Sequence, residues 1–392
     1  MAKKSDSSAL DTHNRMNAIE LERLISRQAK AIMADPGLSH KIPPIMVHGA
    51  PGCGKSTIIK TIAKDLGIGF IDMRLSQMEP IDLRGIPVPN HEAKSAEWYI
   101  TSDLPRDPKS YGILLFDEIT AADKSLQVAA YELILDRRLG ELYSIPDGWL
   151  IVGAGNRTED RAVSCTMSSA LANRFLHVEL KEDAEAWIDW ARQHDIHPSV
   201  IGFIMYRPTM LFSMDDGENL ERGWPSPRSW ERVSHMVQMY GHEDEQLLRK
   251  IVYGLVGNSA GVEFMEFFKL DREFDNVLET MRNPAKPINI PMEADRKYAL
   301  ASAINYLLWK GADADDEAKR INGFFRYTME FTPDFASMMM MAAMQGDKKS
   351  NDRTYCEKLY HHPSYRDWQK KHGAALAKRF ANKSYLKGPS GL

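Results

Sequence analysis

The run Gly49-Ala50-Pro51-Gly52-Cys53-Gly54-Lys55-Ser56 constrains this chain more than any other feature of its sequence. It follows a compact apolar segment, Ile45-Met46-Val47. It precedes Thr57 to Leu66, where Ile58, Ile59, Ile62, Ala63 and Leu66 recur at helical spacing. Strand, glycine-rich turn and helix is the structure this pattern predicts, and it is the setting a phosphate-binding loop requires. The glycines let successive backbone N–H groups converge on a phosphate with no side chain in the way. The helix N-terminus adds its partial positive charge. In such a loop Lys55 bridges the β- and γ-phosphates of a nucleoside triphosphate, and the Ser56 hydroxyl ligates Mg²⁺. The expected cradle runs from Gly49 through Ser56 to Thr57, with Cys53 serving only as a small residue within it.

A second signal is Ile113-Leu114-Leu115-Phe116-Asp117-Glu118, four apolar residues ending in two carboxylates. The pattern predicts a buried strand whose charges emerge at its carboxyl end, where an open α/β sheet binds ligands. Asp117 is expected to hold the Mg²⁺ shell with Ser56. Glu118 is expected to orient the attacking water as general base. On its own an Asp-Glu strand end is more often a solvated turn; downstream of a complete phosphate loop the catalytic reading is favoured.

More strands are predicted at Phe70–Leu75, Leu150–Ala154 and Leu176–Leu180, with helices at Asn17–Met33 and Ser125–Leu135. Alternating strands and helices imply a parallel sheet covered on both faces. From Asp183 onward only helical patterns remain, at Ala184–Gln193, Ser229–Met239, Glu245–Val256 and Val262–Lys269. The predicted organisation is therefore an N-terminal tail and helix (1–40, polar and disordered over 1–15), a nucleotide-binding α/β core (41–182), a helical lid (183–282) and a helical C-terminal region (283–392). The proline-rich linker Asn283–Pro291 opens the last of these.

Composition narrows the class. Three cysteines (Cys53, Cys165, Cys356) lie far apart with no C-x-x-C pair, which suggests neither a disulfide framework nor a zinc site. A net charge of -4 argues against a dedicated nucleic-acid binder with a basic face. The early lysines lack an apolar stretch behind them, and the longest apolar run, Tyr298 to Trp309, is too short to span a bilayer. The expectation is a soluble, cytoplasmic protein.

Three further segments separate the NTPase families that a phosphate loop and Asp-Glu leave open. Ile151-Val-Gly-Ala-Gly-Asn156-Arg157 resembles the sensor 1 strand of AAA+ ATPases. Ser169-Ala-Leu-Ala-Asn-Arg174-Phe175 resembles the junction carrying their arginine finger. Trp224-Pro-Ser-Pro-Arg228-Ser-Trp230 resembles their sensor 2 at the start of a lid helix. Asn156 also suits a turn, and Arg174 a helix C-terminus. Arg228 is more telling: Ser226 suits an N-cap and Pro227 the first helical position, which places a cation where the helix dipole disfavours it.

Within AAA+ proteins the chain is most similar to the MoxR branch. Gln77-Met-Glu-Pro-Ile-Asp82-Leu-Arg84-Gly85-Ile-Pro87 resembles the start of that branch's insert in the second helix. Leu135-Asp-Arg-Arg-Leu-Gly140-Glu-Leu with Ile145-Pro-Asp-Gly-Trp149 resembles its hairpin before sensor 1. The likeness covers about residues 40–270 and weakens to about 308. It implies ATP and Mg²⁺ as ligands and a homo-oligomeric ring, usually hexameric. In that ring Lys55, Ser56, Asp117, Glu118, Asn156 and Arg228 act in cis and Arg174 acts on the neighbour. Arg157 and Arg161 are further candidates for a trans-acting arginine. The branch implies chaperone-like remodelling of a protein client, often with a partner that carries a von Willebrand factor A domain; no membrane partner is expected, and the charge balance counts against nucleic acid. A motor or loader acting on nucleic acid and a P-loop kinase stay open as alternatives. Of the weaker features, Met338–Met341 reads as a buried helix and the basic stretch Lys370–Lys387 as a solvated helix and tail. Adjacent His361 and His362 point apart on a helix and suggest no metal.

Overall fold

In the computed structural model the described residues are 14–382 except 93, 158–166, 168–171, 215–222, 242, 271–275, 310–312 and 346–353. The chain divides into two compact units, Met1–Glu182 and Asp183–Leu392.

The first unit is built on six parallel strands in the order β1-β10-β2-β9-β6-β3. These are β1 (Arg15–Met16), β2 (Ile45–His48), β3 (Gly69–Arg74), β6 (Gly112–Asp117), β9 (Trp149–Gly155) and β10 (Leu176–Leu180). Every residue of β6 and β9 is buried, as the near-continuous apolar runs of these strands require when both faces are covered. Side chains alternate between two cores. Ile113 and Leu115 of β6 pack with Leu21 and Ile25 of α1 (Ala18–Ala34) and with Ile59 and Ile62 of α2 (Lys55–Leu66). Leu114 and Phe116 pack on the opposite face with Leu126, Ala130 and Leu133 of α4 (Lys124–Leu135).

The strand order matters for function. β9 inserts between β2 and β6, with His48 paired to Gly155 and Phe116 to Gly153. The carboxyl ends of β2, β9 and β6 therefore lie side by side, and the segments after them share one edge of the sheet. Packing along the same strands is tight. A Cβ on Gly112 would lie 2.5 Å from the Trp149 ring, which is pinned by an Nε1–H bond to Ser110 Oγ at 2.9 Å. Gly112→Ala is expected to cost about 1–3 kcal/mol through overpacking, read as a lower denaturation midpoint. An unchanged midpoint would mean that the indole can move aside.

The N-terminal segment departs from expectation. Of the tail expected to be disordered (1–15), residues 1–13 lie outside the described residues, while Arg15 joins Met16 in an edge strand, because Glu179 N–H and Lys181 N–H donate to Asn14 O and Met16 O. Helix α1 does not stand apart from the core either: its buried residues Leu21, Ile25, Ala29 and Ile32 belong to the same cluster as β2 and α2. After β3 come a short helix, α3 (Pro80–Arg84), and an antiparallel hairpin of β4 (Ile86–Asn90) and β5 (Ser95–Tyr99), unread in the sequence. A second hairpin, β7 (Arg138–Leu139) and β8 (Tyr143–Ser144), precedes β9.

The second unit is helical throughout its described residues. One core joins α5 (Ala184–Ala191), α6 (Pro198–Tyr206), α7 (Pro227–Tyr240) and α8 (Glu245–Lys269) around Phe203, Trp230 and Phe264. The two helices expected between residues 245 and 269 follow one another across a kink at Gly257, whose φ of 78° a helix does not admit. A second core gathers α9 (Val277–Arg282), α10 (Ala294–Trp309), α11 (Ala314–Glu330), α12 (Pro333–Gln345), α13 (Thr354–Tyr360) and α14 (Tyr365–Asn382). Met339 and Met340 are fully enclosed there, so the methionine run is a buried helix. No helix among the described residues is long and apolar enough to cross a membrane.

Candidate functional site

The loop after β2 turns through two glycines in the left-handed region, Gly52 at φ 80° and Gly54 at φ 94°. A β-carbon is disfavoured there, which explains the glycines of the motif. Gly54 is the N-cap of α2, and it supplies no side-chain cap to the first-turn amides. Those N–H groups and the helix dipole suit a phosphate. Ala50 and Cys53 are buried against the sheet, and burial pushes the Cys53 thiol up in pKa, as befits a packing residue. Thr57 is exposed on α2.

Lys55 is almost wholly buried. Its ammonium donates to Gly49 O at 2.8 Å, Ala50 O at 3.1 Å and Asn156 Oδ1 at 3.2 Å. Asn156 follows directly on β9, and its own N–H donates to Thr120 Oγ1 at 3.1 Å. The neighbouring strand order thus joins the lysine of one strand end to the amide of the next. On the third strand end, Ser56 Oγ donates to Asp117 Oδ2 at 2.5 Å. The chemistry of these two hard oxygen donors, beside a phosphate cradle, fits Mg²⁺, which is held by few protein ligands and completes its shell with water and phosphate oxygens. Such an ion would neutralise charge on the β- and γ-phosphates.

Glu118 has a backbone feature no sequence pattern revealed. Its φ is 57°, a left-handed conformation rare for a residue with a side chain. Strain of this kind costs of order 1–3 kcal/mol and collects at functional positions. It is held in place on both sides: Glu118 N–H donates to Asp117 Oδ1 at 2.9 Å, and Ile119 N–H donates to Ala154 O at 3.0 Å. Gln127, buried on α4, secures the following turn through Ile119 O and Ala122 O. The Ser76 hydroxyl, just after β3, donates to Glu118 Oε2. Ser76 was invisible in the sequence because nothing local to it encodes a partner 42 positions away. Asp72, one strand over, is raised in pKa by burial and by Asp117.

This is a P-loop α/β fold. The phosphate loop, the strand carrying Asp117-Glu118 and the interposed strand ending at Asn156 decide it. The family described as the viral superfamily 1 RNA helicase core domain matches residues 45–134, from β2 into α4. Midasin of Giardia intestinalis is 26% identical over 172 residues, covering 41% of this chain and 4% of that protein. The chain thus spans only a small part of that relative's length. Among solved structures, a RuvB variant of Thermotoga maritima is 18% identical with a TM-score of 0.38, over 77% of this chain and 84% of its own. A candidate ATPase of Cytophaga hutchinsonii is 15% identical with a TM-score of 0.31, over 60% of this chain and 88% of its own.

The expected arginines part company in this fold. Arg174 is exposed on the turn before β10. Arg157 is only 19% exposed in its side chain and is engaged within its own chain, 3.0 Å from Glu179 and 3.8 Å from Glu182. That pairing disfavours a trans-acting role. Arg161 lies outside the described residues, as do residues 169–171 of the finger segment. In the second unit Ser226 is the N-cap of α7, accepting from Ser229 N–H, and Pro227 is its first residue. Arg228 follows in the first turn, exposed, as the capping pattern predicts.

Proposed function

We propose that the chain binds ATP–Mg²⁺ and hydrolyses it as a subunit of an AAA+ ring of the MoxR-like type, coupling turnover to the remodelling of a protein client. The observation that carries this reading is the convergence of Lys55, Asn156, Ser56, Asp117 and Glu118 at three adjacent strand ends. In this assignment Gly49 to Thr57 cradle the phosphates, Ser56 and Asp117 hold the metal, and Glu118 polarises water. Asn156 positions that water, and Arg228 serves as the sensor 2 residue. Arg174, exposed on its turn, acts on the nucleotide of the next subunit. The MoxR resemblance points to a partner with a von Willebrand factor A domain.

The test is ATP turnover per subunit as a function of protein concentration. A site completed by its neighbour should show turnover per subunit that rises with concentration and then levels off, with free phosphate and ADP as products. Constant turnover across the range would sink the shared site, and a phosphorylated acceptor in place of free phosphate would indicate a kinase.

A second reading, a motor on nucleic acid, is favoured by the family match over residues 45–134. The net charge of -4 weighs against it. Turnover raised by single-stranded DNA or RNA, and lost again with added salt, would select this reading over the first.

A further inference from the structure

His48 and His177 take no part in the chemistry assigned above, yet they lie between the phosphate loop and the turn that carries Arg174. His48 ends β2, one residue before Gly49, and His177 is the second residue of β10. The register pairs His177 with Met46 and Glu179 with His48, so both imidazoles stand on one face of the sheet. Their rings stack with centroids 5.2 Å apart and planes 15° from parallel. His48 Nε2 lies 2.9 Å from His177 Nδ1, and His177 Nε2 lies 2.8 Å from Ala172 O.

Acceptor chemistry fixes the direction of this chain. A carbonyl oxygen only accepts, so His177 Nε2 carries the proton it donates to Ala172 O. With both rings neutral, His177 Nδ1 is then bare and accepts from His48 Nε2–H. Burial, and next His177, lower His48 to a pKa of about 4, which keeps that ring neutral near pH 7.

Ala172 O is a particular acceptor. It also takes a bond from Phe175 N–H at 3.3 Å, closing a four-residue turn with Asn173 and Arg174 at its centre. Phe175 is buried in the sheet core. Arg174 projects from a turn anchored at its far end by Phe175 and at its near end by His177.

We propose that His177, oriented by His48, is a positioning residue for Arg174: the pair fixes the turn so that the guanidinium is presented to the neighbouring subunit's nucleotide. The proposal rests on the reading of Arg174 as a trans-acting arginine. A group presented this way is sensitive to small displacements, since misplacement by about 1 Å can cost about 10²-fold in rate.

The test separates a subunit's own site from the arginine it lends. Full-length Glu118→Gln subunits, whose own sites are silent, are mixed in large excess with wild-type subunits, so that most wild-type sites border a Glu118→Gln neighbour. Their turnover is the baseline. Replacing the excess protein by Glu118→Gln/His177→Phe keeps a ring to stack on His48 but removes the donor to Ala172 O. Wild-type sites are then expected to lose about 10- to 10²-fold in kcat with little change in KM for ATP. Glu118→Gln/His48→Ala should move kcat the same way. Glu118→Gln/His177→Gln, whose side-chain amide can again donate to Ala172 O, should recover most of the loss. A purely structural role would not show this split, because the affected active sites belong to wild-type subunits. Turnover at the baseline with the His177→Phe donor, while a Glu118→Gln/Arg174→Ala donor still abolishes it, would overturn the positioning role and leave the trans arginine standing. Baseline turnover with the Arg174→Ala donor as well would overturn both.

Discussion

Glu118→Gln is expected to bind ATP–Mg²⁺ about as tightly as the wild type while its turnover falls by about 10²–10⁴-fold, the usual share of a general base. The groups that hold nucleotide are untouched by the change. Lys55 keeps its contact with Asn156, and the Ser56–Asp117 pair is independent of the Glu118 side chain. A glutamine can still accept from the Ser76 hydroxyl, so the left-handed backbone at position 118 keeps its restraints. What is lost is a carboxylate able to take a proton from water. Equilibrium binding of a fluorescent ATP analogue and single-turnover phosphate release measure the two halves separately. Turnover close to that of the wild type would remove Glu118 from the role of base. Weakened binding with proportionate loss of rate would place it among the nucleotide ligands.

The contrast between Lys55 and Ser76 shows what the sequence could and could not express. The phosphate loop is a local object: eight consecutive residues, a strand before and a helix after, with each glycine answering to the turn in which it sits. The Asp117–Glu118 strand end is local in the same way, and so is the cap at Ser226. The apolar runs of β6 and β9 announce strands buried on both faces. Strand order is not local. That β9 lies between β2 and β6 decides that Asn156 meets Lys55, and no periodicity encodes it. The edge strand Arg15–Met16 escaped for a related reason: two residues in a polar segment carry no pattern, and their pairing depends on the exposed side of β10. The β4–β5 hairpin escaped because its apolar side chains, Ile86, Val88, Trp98 and Tyr99, are exposed, so the inside–outside alternation that marks a half-buried strand is missing. Residue roles that depend on another subunit lie one step further from sequence than strand order does.

Arg174→Ala is expected to have the larger effect on rate: a loss on the order of 10³–10⁵ in turnover, the range set by arginines that P-loop GTPases receive from a partner. Nucleotide affinity should change little, because the first-turn amides of α2, Lys55 and the Ser56–Asp117 pair all belong to the subunit that binds. The dependence of turnover per subunit on concentration should vanish, since assembly no longer supplies anything to the site. Arg174→Lys should restore little, because an ammonium cannot reproduce the planar fork of a guanidinium against phosphoryl oxygens. Arg157→Ala makes the comparison specific. That guanidinium is held by Glu179 and Glu182 beside the edge strand, where Glu179 also meets Arg15 at 3.3 Å. Its removal leaves a buried carboxylate with one partner fewer, so the expected result is a lower denaturation midpoint with turnover still dependent on concentration. If Arg157→Ala abolished that dependence and Arg174→Ala left it intact, the two arginines would have to exchange roles. The ion pairs around Glu179 would then have to open when subunits meet.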